Sequence, residues 1–276
     1  MTALHIFVLA IVQGITEFLP ISSSGHLILV PVLTGWPDQG LTMDVSVHVG
    51  TLVAVLLYFR EDTKGLTLAT LGTLGIGPAR RAIAGTIYGK LFWALVIATI
   101  PVVIVGFALK VSGAADLMRN ATVIATTSIF FGILLYVADK KGATERALDR
   151  MAIKPALVIG VAQVLSLIPG TSRAGITMTA ARYLGFGRQE AARFSMLLSI
   201  PTILGAGVFL GKDIVESGDP IIWADAAIGA GLSCLAALAA IHFLMRWLAH
   251  ASMTIFVAYR VLLGLGLFAL IGTGTI

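Results

Sequence analysis

The chain has 276 residues, 58% of them hydrophobic and only 12% charged, with a mean hydropathy of +0.97 and a net charge of +5. A soluble fold with so few charges could not cover its surface, so the apolar excess faces lipid. The basic residues form no stripe, which excludes a nucleic-acid partner, and the lone Cys234 excludes an intramolecular disulfide or a cysteine metal cage.

Crossing a ~30 Å hydrocarbon core takes about 20 helical residues. The first apolar stretch, 3–34, is broken at its centre by Leu19-Pro20-Ile21-Ser22-Ser23-Ser24-Gly25-His26. Proline and glycine stop a helix, and the freed backbone groups sit at membrane depth only where protein or a polar cavity receives them. This stretch is therefore read as a re-entrant helix–break–helix hairpin. Spans follow at 43–60, 87–110 and 119–138, the first short and completed by its flanks. A charged linker, 139–154, precedes a second broken stretch, 155–184, interrupted by Ile168-Pro169-Gly170-Thr171-Ser172-Arg173-Ala174-Gly175. Spans at 190–211, 221–246 and 253–273 complete the chain. The expected fold is one all-α polytopic membrane domain over 1–276, with six transmembrane helices and two opposed re-entrant hairpins.

Charge orients this arrangement. If each hairpin returns to its own side, fourteen Lys and Arg, from Arg60 to Arg246, share one face. The opposite face has Lys110, Arg119 and Lys212, with Asp38, Asp213, Glu216 and Asp219 beside them. The basic face is then cytoplasmic and both termini lie outside. No Lys or Arg precedes Arg60, so residues 1–20 lack the charged start of a cleaved signal and are read as mature protein. A shift of 150 residues superposes Gln13 on Gln163, Ser22 on Ser172 and Gly25 on Gly175. With three spans between the hairpins, this is the pattern of an inverted-topology repeat, about 1–138 and 151–273, whose half-helix ends meet near the midplane.

The candidate chemistry gathers at the two breaks. Gln13 and Glu17 share a helix face, and an ionised Glu17 is costly among Ile, Val, Phe and Leu. It reads either as a hydrogen-bonded interfacial carboxylate or, with Gln13, as a metal ligand or general base; Mg²⁺ suits oxygen ligands that bridge to phosphate. Ser22, Ser23, Ser24 and Gly25 read as N-caps or as an anion site at a helix N-terminus. His26, in the first turn, is a candidate acid, base or nucleophile. Arg173, alone in its apolar hairpin, needs an anion, either Glu17 or a phosphate gripped with Gly170, Thr171 and Ser172. Asp44 and His48 form an i,i+4 pair that either lines the cavity or packs. Arg260 lies inside the last span with no partner assigned. Cys234 reads as packing, and Gly205, Gly207, Gly229 and Gly231 as close helix contacts.

The run from Gln13 to His26 and the run Pro169-Gly170-Thr171-Ser172-Arg173-Ala174-Gly175-Ile176-Thr177 resemble the two signature motifs of the undecaprenyl-diphosphate phosphatase family, also called bacitracin-resistance proteins. The block Asp44–Arg60 resembles the family segment between them. The resemblance implies a bacterial inner-membrane hydrolase that converts undecaprenyl diphosphate to undecaprenyl phosphate, the lipid carrier of peptidoglycan synthesis, and so confers bacitracin resistance. It also implies dependence on Mg²⁺ or Ca²⁺, an outward-facing active site and the six-span, two-hairpin fold, and it leaves room for a homodimer. By motif position, Ser23 matches the family's nucleophilic hydroxyl, and His26 its histidine nucleophile or base. Gln13 stands where the family often has glutamate, which moves the carboxylate role to Glu17, and Ala174 where it commonly has serine. The rival expectation is a prenyl-lipid flippase on the same repeat. Phosphate release in detergent micelles separates the two.

Overall fold

The structure, a computed structural model, describes residues 2–142, 146–217 and 220–276, and within them the side chains of all but residues 41, 115, 116, 206 and 208–222. The expected charges at Lys212, Asp213, Glu216 and Asp219, and positions 143–145 of the linker, lie outside the described residues. The rest is helical. The first broken stretch forms α1 (Ala3–Thr16) and α2 (Ser23–Thr34), and the second forms α9 (Ile153–Val164) and α10 (Arg173–Tyr183). At 1.5 Å per residue, helices of 14, 12, 12 and 11 residues each reach about half to two-thirds of the hydrocarbon thickness.

Between them lie α3 (Gly40–Tyr58), α4 (Arg60–Thr73), α5 (Gly77–Ala82), α6 (Tyr88–Ser112), α7 (Ala114–Leu117) and α8 (Ala121–Lys141). The chain ends in α11 (Arg188–Ser217), α12 (Pro220–His250) and α13 (Thr254–Gly272). Among the described residues, four helices are long and apolar enough to cross a membrane: α6, α8, residues Trp223–His250 of α12, and α13. The expected span 43–60 is α3, which bends by 95° at Phe59 into α4, and the pair together passes the same test. Helix α4 lies in what the sequence reading left as a connection, and its first turn carries Glu61 and Asp62, which suit a helix N-terminus. The expected span 190–211 falls within the 30-residue α11.

Small residues let these helices approach. A Cβ at Gly14 would stand 2.5 Å from that of Ala236, and one at Gly160 would stand 2.6 Å from the Ala98 backbone. The Gly50 position likewise abuts the Ala230 carbonyl. These glycines bind α1 and α3 to α12, and α9 to α6. Of the glycines expected at close contacts, a Cβ at Gly229 would stand 3.0 Å from the Met43 sulfur, whereas one at Gly205, Gly207 or Gly231 would meet open space. Glycine between apolar residues marks a contact only if its helix face turns inward, which spacing alone did not resolve. On the basic face, buried Asp139 accepts from Arg182 at 3.2 Å, Arg188 at 2.7 Å and the Met253 N–H at 3.1 Å. It thereby ties α8, α10, α11 and α13 together.

Candidate functional site

The two breaks have one geometry. Among the described residues, only Ser22 and Ser172 are non-glycine residues with positive φ, at 77° and 70°. Each costs about 1–3 kcal/mol of strain, which the surroundings must hold. Each serine caps the helix that follows, accepting from the Gly25 N–H at 3.4 Å and from the Gly175 N–H at 3.0 Å. Gln13 and Gln163 are both fully buried, and in each the side-chain Oε1 has no hydrogen-bond partner.

What holds the breaks open is Arg260 of α13. Its guanidinium is fully buried, and among the described residues it makes no ion pair with a carboxylate. Instead it donates to the carbonyls of Pro20 in the first break at 3.3 Å, of Gly170 and Thr171 in the second at 3.0 and 2.9 Å, and of Thr127 and Ser128 in α8 at 3.3 and 3.2 Å. Carbonyls freed by an interrupted helix must find donors at membrane depth, and one planar fork supplies them for both hairpins. The Thr127 hydroxyl adds a bond to the Pro169 carbonyl at 2.6 Å.

The breaks bring Glu17 and Arg173, 156 residues apart, into contact: Nη2 lies 2.9 Å from Oε1. The other arm of Arg173 donates to the Ser195 carbonyl at 2.8 Å. Glu17 Oε2 accepts from the Ser23 hydroxyl at 2.6 Å and from the Gln13 amide at 2.9 Å, and His48 Nε2 stands 3.7 Å away. Glu17 is only 7% exposed, so the neighbouring cation and donors are what keep a carboxylate there.

Of these, Glu17, Ser23, His48 and Arg173 line a cavity of about 400 Å³, whereas Gln13 stands behind it. Ser22, Ser24 and Ser172 line it too, at the N-terminal ends of α2 and α10. The lining also includes Asp44, Gln39 and Arg119 and the apolar Leu27, Ile28, Val49 and Ile203.

Other expected site residues stand behind this lining. Gly25 and Thr171 spend their N–H groups locally, on Ser22 Oγ and the Ile168 carbonyl. Gly170 meets Arg260 through its carbonyl, and a Cβ there would collide with Thr127. His26 is also off the lining. Its Nδ1 is 2.6 Å from the Ser22 carbonyl and its Nε2 is 2.6 Å from the Tyr259 hydroxyl, so both ring nitrogens are engaged. His48 differs: its Nδ1 lies 2.6 Å from the Asp44 carbonyl, and its Nε2 faces Glu17 Oε2 at 3.7 Å. The approach of His48 to Glu17 and the carbonyl-binding role of Arg260 were invisible in the sequence. An arginine inside an apolar span was the only signal for the second.

A helical membrane bundle that encloses a guanidinium, a carboxylate and serine hydroxyls between two interrupted helices defines an integral membrane protein built to handle an anion. The model of the family described as bacitracin resistance protein BacA matches residues 6–266, and the chain belongs to that family. Among curated relatives, the protein named undecaprenyl-diphosphatase in Jannaschia sp. is 51% identical over 264 residues, covering 96% of this chain and 97% of its own. The protein of the same name in Roseobacter denitrificans is 48% identical over 265 residues, with 96% and 97% covered. That of Ruegeria pomeroyi is 46% identical over 274 residues, with 98% and 99% covered.

Proposed function

We propose that this protein hydrolyses undecaprenyl diphosphate to undecaprenyl phosphate and inorganic phosphate in the bacterial inner membrane. In that role it recycles the lipid carrier of cell-wall synthesis and protects against bacitracin. The observation that carries the reading is the Arg173–Glu17–Ser23 contact at a cavity lined by both polar and apolar side chains, within a bundle that also belongs to the right family.

Phosphoryl transfer asks mainly for positioning and charge neutralisation. Arg173 and the N-terminal ends of α2 and α10 receive the diphosphate, and the apolar Leu27, Ile28 and Val49 receive the start of the prenyl chain. Ser23 Oγ attacks the terminal phosphorus while its proton passes to Glu17 Oε2, 2.6 Å away. An O–P bond forms, the bridging P–O bond breaks, and undecaprenyl phosphate leaves with the bridging oxygen. Water then attacks the phosphoserine and gives its proton to His48 Nε2. Glu17 returns the first proton to Ser23 as phosphate departs. His26, whose nitrogens are both engaged, positions the Ser22 backbone in this scheme rather than attacking.

The donors present fit a hard cation. A carboxylate has about four lone-pair sites; Glu17 commits three, to Arg173, Ser23 and Gln13, and the Gln13 amide oxygen has no hydrogen-bond partner. Among the described residues no three His, Cys, Asp or Glu side chains cluster, so most of the coordination shell would come from water and phosphate. Glu17 and Gln13 are the proposed ligands of Mg²⁺ or Ca²⁺, which when bound neutralises charge on the phosphoryl oxygens. The cavity lining includes Gln39 and Arg119, from the connections assigned to the outside, which supports an outward opening. The similar break geometry at Ser22 and Ser172 supports the inverted repeat.

Purified protein in detergent micelles is expected to release phosphate from undecaprenyl diphosphate, to stop with EDTA and to recover with Mg²⁺. A lipid flippase releases none without two compartments, so absence of turnover there overturns the reading.

A further inference from the structure

A second cavity, of about 1150 Å³, lies far from the serines and Arg173 in the chain, between the end of α4, α5, the start of α6 and the start of α9. Its size exceeds the roughly 300–1,000 Å³ of ordinary ligand sites. Four cations line it: Arg80, Lys90, Arg150 and Lys154. The only carboxylate in the lining is Asp149. Among the described residues none of these five side chains makes an ion pair, whereas elsewhere on the same face Asp139 and Asp62 satisfy Arg182, Arg188 and Arg193. Four like charges around one groove repel each other, and among the described lining residues Asp149 alone offsets them. An anion from outside the chain would offset the rest.

The flank says which kind of anion. Trp93, 52% exposed, and Ile153, 64% exposed, sit in the same lining, in the second turn of α6 and the first turn of α9. Helix α6 is long and apolar enough to span, and Lys90 and Trp93 mark where its apolar length begins. Tryptophan beside lysine at such an end belongs at headgroup level. A groove lined by both cations and exposed apolar side chains matches a phosphate joined to acyl chains, and basic pockets between helices at this level favour such headgroups. We infer that this groove binds the headgroup of an anionic phospholipid from the leaflet on the basic side of the protein. The inference needs only the helix arrangement and stands apart from the proposed hydrolysis.

The test measures stabilisation of the purified protein by phosphatidylglycerol against phosphatidylcholine, read as unfolding temperature across a lipid titration. Phosphatidylglycerol is expected to stabilise the native chain more. A variant carrying Arg80→Gln, Lys90→Gln, Arg150→Gln and Lys154→Gln is expected to bind it at least about tenfold more weakly. Its unfolding temperature in phosphatidylcholine should match the native one, since these side chains hold no partner. A control with the same charge loss elsewhere on the face, at Arg60, Lys64, Lys140 and Lys141, should keep the native affinity. Equal weakening in that control would reduce the effect to diffuse surface charge and overturn the site. So would equal stabilisation of the native chain by both lipids, or full reproduction of the effect by inorganic phosphate.

Discussion

Ser23 and Glu17 meet at 2.6 Å in the proposed centre, and the attack assigned there depends on that proton path. Ser23 as nucleophile predicts a phosphoenzyme that survives acid and is lost in alkali when native protein is quenched during turnover; an acid-labile adduct would move the attack to a histidine. Glu17→Gln keeps the shape but loses the acceptor charge, and turnover is expected to fall about 10²- to 10⁴-fold. The same variant should lose its response to Mg²⁺; an unchanged metal response would remove Glu17 from the ligand set. At this scale the sequence showed residue types but not their partners. It offered His26 and His48 as similar candidates, and only the backbone carbonyls of Ser22 and Asp44 decide which ring presents an open nitrogen.

The elements that matter are the two interruptions, and their stability resides in a helix remote from both in sequence. Arg260 donates to carbonyls of both breaks, and a buried acceptor left without a donor costs about 1–3 kcal/mol. Lysine has the charge but not the fork. Arg260→Lys is therefore expected to lower the unfolding free energy by about 3 kcal/mol or more and to abolish turnover. Retention of native stability would show that the breaks hold themselves. The interruptions were legible because Pro20, Pro169 and the adjoining glycines and hydroxyls cannot continue a helix. The bend at Phe59 was not, because no proline or glycine marks it and the turn follows from how α3 and α4 pack.

Across the whole molecule the two breaks contribute different groups. A shift of 150 residues places Ser23 on Arg173 and Glu17 on Leu167. The first half thus brings the hydroxyl and carboxylate, the second brings the guanidinium, and the site exists only where they meet. Orientation is testable at this scale. Cysteines introduced at Lys64 and at Ser112, both exposed, are expected to react with an impermeant thiol reagent from opposite sides of intact cells, Ser112→Cys from outside. Reaction of both from one side would overturn the topology. The sequence alone determined that this chain lives in lipid, where its helices break and which residue types collect at the breaks. Those properties follow from local hydrophobicity and backbone chemistry. Tertiary structure alone decided that Glu17 meets Arg173, that His48 rather than His26 faces the cavity, and that Arg260 supplies the missing donors. Each of these depends on contacts between residues remote in sequence, and no local pattern encodes them.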